Sequence, residues 1–254
     1  MNNFIYKTDY KVAEFFHNIY LWGGKFTNSV MEGISFIAEA GILFLIIGLG
    51  LAIFKRTRKV GATILVSVAI GFILTNILLK NIIERARPFS NIDSPFYKWW
   101  LGAGSVNESG YSFPSGHTTA TTAFAIAIFL TTNKKHGWPI LLLPILMASS
   151  RIYLMVHYFS DCLGGFIVGF IASVVALVIV KLIYKSNIKF FKWLTEFEIF
   201  KTNSSNKSTK SAVSAEQTDI NSEDFVYSTQ AEENTNLNVN EKKSNHNLDD
   251  NSSK

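Results

Sequence analysis

Three short clusters bring together cations, histidines, a hydroxyl, glycine and a carboxylate at spacings that suit the handling of an oxyanion. The first runs from Lys80 to Pro88, KNIIERARP. Lys80 and Arg87 are seven residues apart, so a helix would present them on nearly one side, two turns separated. Pro88 cannot continue the backbone ladder, which predicts a helix that stops just past Arg87. Arginine adds a planar fork for paired contacts to an oxyanion. Glu84, four residues after Lys80, offers the plainer pairing of an ordinary basic interfacial anchor.

The second cluster is FPSGHTTA, Phe113 to Ala120. Ser115 suits a helix N-cap, and the N–H groups of Gly116, His117 and Thr118 would then point out of the positive helix end. Glycine lets an anion approach the backbone closely. Four such residues alone would equally fit a capped helix with a solvent-facing histidine. The third cluster, SRIYLMVHYFSD, spans Ser150 to Asp161. Arg151 would sit at membrane depth, where an arginine marks pairing or function. His157 and Asp161 are four apart, so the carboxylate can hold one imidazole nitrogen and leave the other nucleophilic.

Taken together, Lys80, Arg87 and Arg151, with the Ser115 hydroxyl and the Gly116 N–H, can surround a phosphoryl group. His157, oriented by Asp161, is the better nucleophile, and His117 can protonate a leaving oxygen. His117, His157 and Asp161 also make a two-histidine, one-carboxylate metal set. Three neighbouring cations would repel a divalent ion, so neither a metal nor a cofactor is expected.

The elements that must hold these groups are apolar. The chain has 254 residues, and its hydrophobic runs concentrate between about 35 and 200. Ser35 to Phe54, broken only by Glu39, would reach about 30 Å as a helix, the thickness of a hydrocarbon core. Val60–Leu79, His117–Thr131, Pro139–Val156 and Gly164–Tyr184 follow, the third and fourth stretches being short. The expected class is all-α, a polytopic transmembrane bundle of five to six spans, because each segment in a bilayer must satisfy its own backbone. The sixth would come from residues 4–31, where aromatics mix with Lys7, Asp9, Lys11 and Glu14; residues 1–34 are expected to be an amphipathic segment on the membrane surface. The beginning lacks the basic start and apolar core of a signal peptide. Cys162 is the single cysteine, which rules out an intrachain disulfide.

From Thr202 the composition turns to Ser, Asn, Thr, Lys and Glu, predicting a disordered tail over 202–254 beside a membrane domain over 35–201. That tail holds nine Asp/Glu and five Lys, net −4, against +5 for the chain, leaving the membrane part near +9. Topogenic lysine and arginine explain most of this excess, so no nucleic-acid partner is expected. Lys55 to Lys59, Thr132 to His136, and Lys185, Lys189 and Lys192 fall on one side if five spans alternate, which makes that side and the tail cytoplasmic. Lys80, Arg85, Arg87 and Arg151 lie on the opposite side, where basic residues are disfavoured. All three clusters fall there.

In order and at every chemically named position, the clusters resemble the tripartite pattern of the type 2 phosphatidic acid phosphatase (PAP2) family: Lys-x6-Arg-Pro, Pro-Ser-Gly-His and Ser-Arg-x5-His-x3-Asp. The resemblance covers about residues 30–185. It implies a membrane lipid phosphatase that works without metal through a phosphohistidine on His157 supported by Asp161. It assigns leaving-group protonation to His117 and phosphate binding to Lys80, Arg87, Ser115, Gly116 and Arg151. Met155 stands where the family frequently has glycine, and Phe159 where HYPSD is usual. The aromatic beginning followed by FIAEAG resembles bacterial members acting on undecaprenyl diphosphate. Phosphatidic acid or phosphatidylglycerol phosphate is the alternative substrate, and a non-catalytic binder of lipid phosphates the alternative class. The implied setting is the plasma membrane, with the site on the extracytoplasmic face.

Overall fold

The structure is a computed structural model that describes residues 3–37 and 41–186. Two compact units divide the chain, Met1–Ile199 and Phe200–Lys254; the second, and with it the expected tail over 202–254, lies outside the described residues, as do Glu39, Lys189 and Lys192. Among the described residues nine α-helices follow in chain order: α1 Asn3–Ile37, α2 Ile42–Ile53, α3 Arg58–Phe72, α4 Lys80–Ile83, α5 Pro95–Gly102, α6 Gly116–Thr131, α7 Lys134–Gly137, α8 Leu142–Tyr153 and α9 Phe159–Lys185. Between α3 and α4 the helix continues without interruption as a π-helical stretch, Ile73–Leu79. There is no strand among the described residues.

Every apolar stretch of the sequence is largely helical, but the span count of five to six is not reproduced. Arg58–Ser90 and Phe159–Lys185 are long and apolar enough to cross a membrane; α1 and α2 would add a third if they form one bent span. The expected continuous helix over Ser35–Phe54 is divided: α1 runs to Ile37, and Gly41 takes a left-handed φ of 69° immediately before α2. A left-handed residue cannot propagate a right-handed helix, and glycine adopts it without a steric penalty.

The N-terminal segment is helical, with a kink at Gly24, and it is packed onto the protein. Asp9 and Ala13 are buried, and Ala13 sits in a cluster with Phe96 and Met155. His17 stacks on Trp99 with ring centroids 4.9 Å apart. The aromatics that read as an interfacial face are thus partly spent on α5.

At the centre, α3, α6 and α9 pack on one another. Ile64 and Val68 of α3 cluster with Ala123 and Phe124 of α6 and Met147 of α8, with Phe44 of α2 stacked on Phe124 at 4.5 Å. Small residues permit the close approach. A Cβ on Gly165 would meet the Ser115 carbonyl oxygen at 2.9 Å, and one on Gly169 the Thr119 carbonyl oxygen at 2.7 Å. Ser67 of α3 and Ser173 of α9 both donate to the Ala123 carbonyl, at 3.2 and 3.0 Å. Close contact and interhelical hydrogen bonds replace the hydrophobic drive that lipid cannot supply between helices. Outward, Ile46, Ile77, Ile167 and Leu182 are exposed, an apolar exterior suited to hydrocarbon. This packing presses the start of α6 against the start of α9, which brings the second and third clusters together.

Candidate active site

The first cluster departs from its expected shape. The helix ends at Ile83, Glu84 turns left-handed with a φ of 47°, and Arg87 is extended with a ψ of 158°. Proline drives the residue before it out of the helical region, so Arg87 could not have stayed in a helix. Lys80 and Arg87 therefore reach the site from different backbone, not along one helix face. Arg87 is buried and donates to the carbonyls of Val156 at 3.0 Å, Ser109 at 2.8 Å and Gly110 at 3.0 Å. These bonds aim its guanidinium so that Nη1 lies 3.4 Å from His157 Nε2.

Ser115 caps α6 as its residue type predicts, accepting from the Thr118 N–H at 3.4 Å and the Thr118 hydroxyl at 3.0 Å. It is fully buried, and its N–H donates to the Asp161 carbonyl at 3.0 Å. The observed contacts of its side chain are those of a cap. Gly116 and His117 line a cavity of about 260 Å³ together with Lys80 and His157. A Cβ on Gly116 would lie 3.9 Å from Lys80 Nζ, so the lysine ammonium reaches the mouth of α6. Val68, Phe72 and Ala120 add apolar lining. A cavity with a cationic end and an apolar flank fits an amphiphile whose charged group enters first.

In the third cluster, α9 begins five residues earlier than the Gly164 of the apolar stretch, which places Asp161 in its first turn. There Asp161 Oδ2 accepts from the Tyr158 N–H at 2.8 Å, a carboxylate at the positive end of a helix. His157 Nδ1 stands 3.6 Å from Asp161 Oδ2, with the Ser112 hydroxyl donating to that oxygen at 2.5 Å. Burial lowers the His157 pKa to about 4, against the opposing pull of Asp161 and with Arg151 and Arg87 assisting. The imidazole is neutral near pH 7, as a nucleophile must be. Both departures from the family pattern have local consequences. Met155 holds a left-handed φ of 54°, the conformation that favours glycine. Phe159 is the first residue of α9, where proline is well suited.

Four groups escaped the reading of the sequence. Glu108, in the loop before α6, bonds Arg151, approaches Arg87 at 3.3 Å and lies 4.0 Å from His117 Nδ1. Burial acts to raise its pKa, and the charges of Arg151, His117 and Arg87 overcome that, holding the carboxyl below its usual value. Ser112 donates to the Asp161 oxygen that faces His157, Arg85 holds the other oxygen, and Asp9 holds Arg85. Only Arg85 gave a signal, as a cation on the disfavoured side. Glu108 occupies the arginines as an anion would, so a phosphoryl group bound by those arginines would have to displace it. Glu108→Gln is expected to strengthen inhibition by inorganic phosphate about tenfold, since one repelling charge near the site is removed. The inhibition constant in a turnover assay measures this, and an unchanged or weaker constant would refute competition at the arginines.

Residues 60–185 match the family model described as PAP2 superfamily. The phosphatidylglycerophosphatase B of Bacillus subtilis is 33% identical over 155 residues, covering 56% of this chain and 70% of that protein. The chain belongs to the PAP2 superfamily. An undecaprenyl-diphosphatase of Sulfolobus acidocaldarius is 33% identical over 47% of this chain, and the match spans 54% of that relative's length. The crystal structure of a PAP2 type phosphatidylglycerolphosphate phosphatase from Bacillus subtilis superposes with a TM-score of 0.53 at 26% identity, covering 74% of this chain and 90% of that one. The Aquifex aeolicus LpxE structure shares the fold, with a TM-score of 0.52 at 20% identity, covering 65% and 93%. The PAP2 match encloses all three clusters, and the Bacillus subtilis transmembrane phosphatase shares the helical frame.

Proposed function

We propose that this PAP2 protein is an integral membrane phosphatase that removes a terminal phosphate from a lipid phosphate or diphosphate through a phosphohistidine. The observation that carries the reading is the setting of His157. Its Nδ1 faces Asp161, its Nε2 faces the Arg87 fork, and it shares a cavity with His117 and Lys80. Nε2 attacks phosphorus while the bond to the leaving oxygen breaks, and His117 gives that oxygen a proton. Water then attacks the phosphohistidine, with His117 taking the proton back, and inorganic phosphate leaves. Lys80, Arg87 and Arg151 stabilise the charge on the equatorial oxygens, joined by the Gly116 N–H. Ser115 contributes by fixing the start of α6. These cations supply the charge that a metal would otherwise provide.

A polyprenyl diphosphate is the favoured substrate, supported by the similarity to the Sulfolobus acidocaldarius undecaprenyl-diphosphatase and by the apolar flank of the cavity. The distribution of basic loops favours the extracytoplasmic face of the plasma membrane for the site, with the tail cytoplasmic. Detergent-purified full chain is expected to release phosphate in EDTA, fastest from undecaprenyl diphosphate when compared with phosphatidic acid and phosphatidylglycerol phosphate. Activity lost to chelator would refute the metal-free mechanism. Binding of all three lipids without hydrolysis would reduce the protein to a lipid-phosphate binder.

A further inference from the structure

Asp9 is an unlikely residue to find inside a protein. It lies near the beginning of α1, among residues whose composition suggests an amphipathic surface helix, yet it is 1% exposed. A buried carboxylate is costly unless its oxygens are satisfied. Here both are. Oδ1 accepts from the Ser160 N–H at 2.8 Å, and Oδ2 accepts from the Ser160 hydroxyl at 2.8 Å and from Arg85 Nη2 at 2.8 Å. The other terminal nitrogen of Arg85 donates to Asp161 Oδ1 at 2.5 Å and to the Ser160 hydroxyl at 2.6 Å. One guanidinium thus bridges two buried carboxylates, and the second of them is the one that faces His157.

We propose that Asp9 is a positioning residue for phosphoryl transfer, acting through Arg85 on the Asp161 carboxylate that orients His157. The proposal rests on the phosphatase reading of the site. Two physical effects follow from the geometry. The fork of Arg85 is planar and rigid, so pinning one side to Asp9 fixes where the other side holds Asp161. Asp161 Oδ1 is then committed to Arg85, and Oδ2 remains for Ser112, the Tyr158 N–H and the imidazole. The second effect is electrostatic. When Nε2 takes the phosphoryl group the ring becomes cationic, and Asp161 must answer that charge. An Arg85 shared with Asp9 neutralises Asp161 only in part, leaving net negative charge beside the ring. Without the Asp9 charge, all of the Arg85 cation would bear on Asp161, and the cationic ring would lose support.

Asp9 touches neither the cavity lined by His117 and His157 nor the cations that bind phosphate. Its removal should therefore act on the chemical step and leave substrate binding in place. Asp9→Asn, nearly isosteric, is expected to lower kcat about tenfold with KM within about twofold, the pattern of a lost outer contact that supports a reacting group. Asp9→Glu restores the charge and should recover part of kcat. Arg85→Gln removes the fork that links the two carboxylates, so the double variant should cost no more than Arg85→Gln alone, because one residue works through the other. Phosphate release from undecaprenyl diphosphate by the full chain in detergent gives all four values, and thermal melting of each variant reports folding. A kcat for Asp9→Asn equal to wild type, or additive losses in the double variant, would overturn the proposal. If Asp9→Asn does not fold, Arg85→Lys, which keeps the charge but loses the fork that links the two carboxylates, carries the test, and a wild-type kcat there would overturn the proposal. A wild-type chain that releases no phosphate from any lipid would overturn the phosphatase reading itself, and this proposal with it.

Discussion

His157→Ala is expected to bring phosphate release to background while the protein still binds inorganic phosphate. Removing a nucleophile that forms the covalent intermediate leaves only positioning and charge stabilisation, and the loss in kcat should be of order 10⁴ or more. Phosphate binding should survive because Lys80, Arg87 and Arg151 are untouched. The control is needed because His157 is buried at the junction of the third cluster, and alanine there opens a cavity. His157→Gln, which keeps most of the volume, should fail equally in turnover while melting closer to wild type. Measurable turnover by both variants, well above the uncatalysed rate, would mean that the phosphoryl group is never carried on this imidazole.

The second large effect separates the two histidines. His117→Ala is expected to slow release from a lipid phosphate by about 10²–10⁴-fold, the usual worth of a positioned general acid. An activated aryl phosphate, whose leaving group departs without a proton, should lose far less. The prediction follows from position: His117 lies in the first turn of α6 and lines the same cavity as Lys80 and His157. Burial and then Arg151 lower the His117 pKa to about 3 against the pull of Glu108, 4.0 Å from its Nδ1, so the acid role needs the negative charge of a bound phosphoryl group to raise it. Equal losses with good and poor leaving groups would remove His117 from the acid role.

Much of this site can be read from residue types because phosphate chemistry demands recognisable ones. Lys80, Gly116, His117 and His157 line one cavity with Arg87 and Arg151 beside it, although Lys80 and Arg87 do not share the helix face that their spacing suggests, and Ser115 makes the cap that its type predicts. What stayed hidden depends on partners far along the chain. Asp9 reads as one charge of a polar helix face, and its partner Arg85 is 76 residues away. Glu108 lies in an irregular loop, where no period says which way a side chain points, and only the fold brings Arg151 to it. The early end of the helix at Ile83 was also out of reach. Pro88 signals that a helix must have ended, but the left-handed turn at Glu84 carries no glycine to mark it. Burial decided the rest: the same aromatics that suit a membrane surface stack on α5 in the fold.

The π-helical stretch from Ile73 to Leu79 sets the aim of Lys80 by number and not by kind. Val68, Phe72, Asn76 and Lys80 all line the cavity, at intervals of four. In a uniform α-helix each such interval overshoots a full turn by about 40°, so three of them would swing the lysine about 120° from Val68. The wider turns of a π-helix take back part of that rotation. The same stretch therefore lets α3 bury one side against its neighbours and still deliver an ammonium group to the mouth of α6. Deleting a single residue between 73 and 79 would let the stretch close into α-helix with the lysine eleven positions after Val68, about 20° from its line, so its aim would survive. For this segment, a gap in an alignment would be less damaging than a substitution at the lysine itself.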